Sequence, residues 1–282
     1  MNKLFKTCVL CILLCCTLGS CAENTPTNNP EHSLSSSDEN TDPGVTTTTT
    51  TTKKPSRTDP EQNIIPIIGG VRAETESYQV KQNGAVALEV SLSLPVAEID
   101  GDKEIEKKLS ERLDAIKDDL DIYIKGLESQ YKTMISLGSK PLFTPRISVS
   151  FELSYFTKKA MSLTFNITEV NGFGVTTRSS RHYNYEFDFA SSITFSAVFS
   201  DREGLINAVI AKAEKKEDLF KNYEELIPSL IDGCWYVTDR HVVFSFDPYQ
   251  IAPESSGFIT IEFERSEIAD YVSDYGKDLF GF

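Results

Sequence analysis

Residues 102–130 read DKEIEKKLSERLDAIKDDLDIYIKGLESQ, and this stretch, together with the three apolar segments after it, decides the fold. Ile105, Leu109, Leu113, Ile116, Leu120, Ile124 and Leu127 recur at steps of three and four, with charged residues at most positions between. A 3.6-residue repeat places such positions on one stripe, so a single long amphipathic helix with a solvated outer face is expected. Its charge run is then a water-facing surface rather than a binding motif. The three apolar segments, with no helical segment between them, are Ile147–Phe156, Met161–Val170 and Gly174–Phe189, the last long enough to bend. They read as strands, with Asn171-Gly172 as the hairpin signal between the second and third. A long helix and then consecutive strands is the pattern of an α+β domain, not of a doubly wound sheet. The expected architecture is an antiparallel sheet packed against the long helix and several shorter ones.

Upstream of the helix, Val86, Leu88, Val90, Leu92 and Leu94 alternate with small or polar residues, a half-buried strand that ends near Pro95. Downstream, Tyr183, Tyr185, Phe187 and Phe189 share one strand face, and His182, Asn184, Glu186 and Asp188 share the other. The aromatic stripe is read as core. Ser200 to Glu203 forms a capping box before a helix carrying Leu205, Val209 and Ile210, and a short helix is expected over 219–230. Cys234–Val237 and His241–Phe246 form a hairpin around Thr238-Asp-Arg240, then comes the irregular stretch 247–257, a strand at Phe258–Phe263 and a last helix from Ser266 holding Ile268, Tyr271 and Val272.

The amino-terminal quarter is of a different kind. Lys3 and Lys6 precede an apolar run from Thr7 to Leu18, and Leu18-Gly19-Ser20-Cys21 closes it. Such a run is a secretory signal peptide and is too short for the roughly 20 residues a membrane-spanning helix needs. The closing tetrapeptide resembles a bacterial lipobox, which implies cleavage before Cys21 and acylation there, palmitate being a typical chain. More than one acyl chain makes such an anchor stable. Residues 22–62 are poor in large apolar groups and include the run Thr46–Thr52. They are expected to form a disordered tether spanning roughly 35 Å. The threonines are candidates for O-glycosylation, with plain low-complexity spacing the favoured reading. The expected organisation is therefore a lipoprotein signal peptide (1–20), a lipid-anchored tether (21–62), an upstream α+β region (63–180) and a carboxy-terminal domain (181–282), in an extracytoplasmic, membrane-anchored protein.

The chain has 42 acidic residues against 28 basic ones, a net charge of −14, and cleavage before Cys21 would remove two lysines and leave −16. No basic stripe of the kind that phosphate binding needs is present, so nucleic acid is not an expected partner. The balance disfavours anionic lipids and wall polymers and favours a cationic partner. Five of the six cysteines lie at or before Cys21, and Cys234 is left as a single thiol, read as a small buried apolar group beside Trp235. The three histidines are His32 in the tether and His182 and His241 on strand faces expected to be exposed, with no zinc-ligand spacing among them. No serine-nucleophile elbow, P-loop or dinucleotide fingerprint occurs. No cofactor, metal or catalytic residue is expected.

Residues 180–275 resemble the extracytoplasmic domain shared by RsiV-like lysozyme-sensing anti-sigma factors and PdaC-type peptidoglycan deacetylases. The resemblance rests on His182–Asp188 (HYNYEFD), Ile193–Phe199 (ITFSAVF), Val243–Pro253 (VFSFDPYQIAP), Gly257, Ile259–Phe263 (ITIEF) and Glu267-Ile268. Residues 74–180 look like the companion region that precedes this domain. The chain departs from both kinds of relative. It carries neither a sigma-binding segment with a transmembrane helix nor a deacetylase domain, and Gln250 and Glu254 replace residues usual in the Pro-Tyr motif. The resemblance implies a non-enzymatic envelope module that binds a protein or wall component, with lysozyme as candidate partner. A peptidoglycan-modifying enzyme or accessory and a self-associating structural lipoprotein are the alternatives. Two readings stand for the loop at Asp247–Pro253: a rigid crossover with Tyr249 packed beneath it, which is favoured, or a loop presenting Tyr249 to a ligand.

Overall fold

A computed structural model of the chain describes residues 70–188 and 191–282. The expected signal peptide, Cys21, the tether with His32 and its threonine run, and Phe189 lie outside the described residues.

The first strand, β1 (Val71–Gln82), is one that alternation did not reveal, because its inner half carries exposed Glu74, Thr75, Glu76 and Ser77. It pairs antiparallel with β2 (Ala85–Ala97) through the turn Asn83-Gly84. Both turn residues have positive φ, 52° and 80°, the geometry of a type I′ hairpin for which Asn-Gly is the preferred pair. The second Asn-Gly pair, Asn171-Gly172, behaves differently. Its turn runs to Val175, and positive φ falls on Gly174 instead.

Helix α1 (Lys103–Ser136) starts where Asp102 accepts a hydrogen bond from the Ile105 N–H. It runs past the expected end because Tyr131 is buried and Met134 and Ile135 pack against the same core. Since α1 carries the chain back along the sheet, β3 (Arg146–Phe156) comes in parallel to β2, Glu89–Leu92 lying opposite Arg146–Val149. β4 (Ala160–Val170), β5 (Thr176–Glu186) and β6 (Ser191–Ser192) follow antiparallel, in the order β1-β2-β3-β4-β5-β6. The sheet is thus antiparallel except at β2/β3. Leu109, Leu113, Ile116, Leu120 and Ile124 lie against Leu88, Val90, Ile147, Leu163, Phe165 and Ile167 in the first core, and each such aliphatic side chain contributes about 2 kcal/mol by burial.

The second core belongs to α2 (Phe195–Val198), α3 (Arg202–Ala213), α4 (Tyr223–Leu230), the sheet β7 (Trp235–Val237), β8 (His241–Phe246), β9 (Ile259–Glu264), then α5 (Arg265–Ile268) and α6 (Asp274–Phe280). The helix after Ser200 is capped by Asp201, whose carboxylate accepts from the Gly204 N–H at 2.9 Å; Ser200 bonds the Tyr271 carbonyl instead of forming the expected box. The last helix splits in two, because Val272 is held in a bridge to Phe199 and Ser273 caps a new helix at Gly276. A division of the chain between residues 180 and 181 falls inside β5. Packing divides it later: Tyr185 and Phe187 belong to the first core, and the second begins at Ile193 apart from Tyr155 and Ala160.

β4 shows how the two parts meet. Residues 160–165 are buried on both faces, one by α1 and the other by the second part, whereas from Asn166 onward the second face is open.

Candidate functional site

The polar face of β4 and β5 at its covered end forms a seam with the second sheet. Ser162 donates to Asn184 Oδ1 at 2.5 Å and accepts from the Val237 N–H at 3.0 Å, while Asn184 Nδ2 donates to the Trp235 carbonyl at 3.1 Å. Next along β5, the His182 ring stacks on Tyr236 at 5.1 Å between centroids. Its Nδ1 lies 2.9 Å from Thr164 Oγ1 and its Nε2 3.2 Å from Ser180 Oγ. His182 is therefore not on an exposed face, as its sequence position suggests, and burial lowers its pKa from 6.5 to about 4. It is neutral at pH 7. His241 has its own partner, Glu264, at 3.0 Å.

The seam continues into the loop 247–257. Asp247 Oδ1 accepts from both the backbone N–H and the hydroxyl of Ser180, at 2.8 and 2.7 Å. Burial raises the Asp247 pKa, and these two hydrogen bonds oppose the shift. Serine, histidine and aspartate thus stand together, but in the wrong order for nucleophilic catalysis. A serine nucleophile gives its proton to the imidazole, and the carboxylate orients the other ring nitrogen. Here the serine proton goes to the carboxylate, and Thr164, not an acid, meets Nδ1. Cys234 is equally unsuited: it is buried, and desolvation with the nearby Asp247 charge pushes its thiol up to about 12. Among the described residues no group of three His, Cys, Asp or Glu could hold a metal ion, and no helix is long and apolar enough to cross a membrane.

The loop itself is clamped along its length. Gln250 Oε1 accepts from the Asp247 N–H at 2.8 Å, the Tyr249 N–H reaches the Ala252 carbonyl at 3.1 Å, and the Ile251 carbonyl accepts from the Phe220 N–H at 2.9 Å. Ile251 and Ala252 are sunk in the second core. Gly257 closes the loop at φ 66°, ψ −147°, a conformation open essentially only to glycine. Between these fixed points Tyr249 sits at φ 68° and is 63% exposed as a residue, its hydroxyl 3.3 Å from Glu254. The packing of Tyr249 beneath the crossover, favoured from sequence, is corrected: Ile251 and Ala252 fill that place and the ring faces water. Left-handed backbone costs a non-glycine residue about 1–2 kcal/mol, and burial of the ring does not offset it here.

Sequence reasoning singled out Tyr249 and missed its clamp. His182 and Asn184 read as the polar face of a strand, and Trp235 and Asp247, which bond Asn184 and Ser180, lie 51 and 67 residues away from them. One available signal was that Ser162, Thr164, His182 and Asn184 all hydrogen-bond without carrying a fixed charge, although the same face runs on to Glu186.

Residues 196–266, which include this loop, match a family model described as a protein of unknown function, DUF3298. Two crystal structures share the fold. A DUF3298 family member from Bacteroides fragilis has a TM-score of 0.56 at 11% identity, covering 73% of this chain and 94% of that one. A DUF3298 family protein from Pseudomonas aeruginosa has a TM-score of 0.51 at 10% identity, with the same two coverages of 73% and 94%. No curated protein matches the chain.

Proposed function

We propose that this chain is a non-catalytic lipoprotein of the cell envelope, held by acyl chains on Cys21, whose loop Asp247–Gly257 captures a protein partner. The observation that carries the reading is Tyr249, an exposed aromatic held in a strained conformation by a loop fastened on both sides. Tyrosine is enriched at the energetic centres of interfaces, and a clamped loop loses little conformational entropy on binding. The net charge of −14 favours a cationic partner and would speed its encounter. Lysozyme, to be sensed or inhibited, is the sharpest candidate given the RsiV-like residues around this loop. Against the rival of a peptidoglycan-modifying enzyme stands the hydrogen-bond order of Ser180, His182 and Asp247, which fixes a loop rather than activating a hydroxyl.

Calorimetric titration of the unlipidated Cys21→Ser chain with a basic lysozyme at two salt concentrations tests this. Saturable one-to-one binding that weakens as salt rises is the expected result. Flat traces at both salts would remove lysozyme, and altered muropeptides after incubation with peptidoglycan would favour the enzymatic rival.

A further inference from the structure

The opposite end of the six-stranded sheet carries a second surface that the loop at Tyr249 does not involve. After α1 the chain crosses to β3 through Leu137–Pro145, and β4 turns into β5 through Asn171–Val175. The two loops are bonded to each other: the N–H groups of Leu142 and Phe143 both reach the Gly172 carbonyl, at 2.8 and 3.1 Å. Their contact leaves no room at two glycines. A Cβ on Gly172 would stand 2.8 Å from Pro141, and one on Gly174 would stand 2.9 Å from the Phe143 ring. Asn171 Oδ1 fastens the turn from within, accepting from the N–H groups of Phe173 and Val175 at 2.9 and 3.0 Å.

This built structure holds apolar side chains out in water. Leu142, Phe143, Phe173 and Val175 are between 52% and 77% exposed, and Leu137 in the same crossover is 80% exposed. They make up five of the eight large apolar residues that are exposed among the described residues. Scattered exposed apolar residues are ordinary, but a cluster on two cross-braced loops marks a binding surface.

Charge identifies the class of partner. In a chain with 42 acids against 28 bases, no acidic residue occurs from Ser129 to Phe151 or from Val170 to Tyr185. Those two stretches contain Lys132, Lys140, Arg146, Arg178 and Arg181. Lys140, Arg146 and Arg178 are exposed, and among the described residues none of the three forms a salt bridge. Leucine and phenylalanine tips rimmed by lysine and arginine fit the boundary between lipid headgroups and acyl chains. Four or five apolar side chains are few beside the roughly 20–30 residues that each side of a standard protein interface contributes. From these observations we infer that the tip formed by Leu142, Phe143, Phe173 and Val175, with Lys140, Arg146 and Arg178, docks on an anionic lipid surface. The two stretches that build this tip carry bases and no acids, and the nearest carboxylates stand one strand further in, Glu89 opposite Arg146 and Glu169 opposite Thr177. The inference does not depend on acylation of Cys21 or on the partner of Tyr249.

Sedimentation of the unlipidated Cys21→Ser chain with vesicles tests it, using neutral phosphatidylcholine alone and a 7:3 mixture with anionic phosphatidylglycerol. The chain should sediment with the anionic vesicles and not with the neutral ones, and should come off as salt rises. Added Leu142→Ser and Phe173→Ser, which leave the Phe143 brace in place, should lower partitioning at least tenfold, with the circular dichroism melt unchanged. A Phe173→Trp chain should shift its emission to the blue on the same vesicles. Absence of anionic-vesicle binding, equal binding by the serine variant, or a dimer that the serine changes dissolve would overturn the inference.

Discussion

The two ends of one sheet invert the usual distribution of side chains. At the 160–164 end of β4, Ser162, Thr164, His182 and Asn184 are covered by the second part of the molecule. At the 170–176 end, Leu142, Phe143, Phe173 and Val175 stand in water. The difference is one of partners. Every polar group named at the seam has a hydrogen-bond partner, so its desolvation is offset within the chain. The apolar groups at the tip stay more than half exposed even with the Phe143 ring against Gly174, and the inferred lipid surface is what would cover them.

Of the two ends, the seam should therefore show the larger effect on stability. Asn184→Ala removes the side-chain donor to the Trp235 carbonyl and the acceptor of the Ser162 hydroxyl proton, and is expected to cost about 2–3 kcal/mol, measured by urea denaturation. Leu113→Ala, in the core under α1, should cost about 2–5 kcal/mol and serves as the apolar standard. A seam variant costing under about 0.5 kcal/mol, as surface changes do, would break the comparison at its covered end.

Acid should loosen the same end. The folded state holds His182 at about 4 against 6.5 for the free side chain. The unfolded chain therefore takes up this proton first, and stability is complete above about pH 6.5 and lost as pH falls from there through 4. The full difference is about 3 kcal/mol. Asp247, on the far side of Ser180, has a raised pKa and acts in the opposite sense, favouring the folded state as pH falls through the carboxylate range. A melting-temperature profile of the His182→Gln chain should be flatter than that of the native chain between pH 6.5 and 4.

Smaller effects are expected at the two exposed features. Tyr249→Gly should raise stability by about 1 kcal/mol, because glycine accepts positive φ without strain. Phe173→Ser should change stability by less than about 0.5 kcal/mol and still reduce vesicle binding. A large loss of stability there would mean that the tip packs rather than docks.

Legibility in the sequence tracks the range of the interactions. The stripe from Ile105 to Leu127 and the alternation from Val86 to Leu94 are local periodicities, and both elements formed, the helix running on to Ser136 and the strand to Ala97. β1 escaped notice because an edge strand with an exposed middle has no alternation to show. Asn83-Gly84 marked its hairpin nonetheless, in the geometry that Asn171-Gly172 was expected to adopt. The seam was hidden because Ser180 and Asp247 are 67 residues apart, and nothing in either neighbourhood points to the other. Tyr249 stood out through its motif, and only the fold shows that Ile251 and Ala252, not the ring, fill the core.

The central claim is that the strain at Tyr249 is kept for the partner and not for the fold. Urea denaturation and lysozyme calorimetry on the Tyr249→Gly and native chains, both carrying Cys21→Ser, test it together. The expected variant is at least as stable as the native protein and binds at least tenfold more weakly. A destabilised variant, or one that binds as well as the native chain, would contradict the claim.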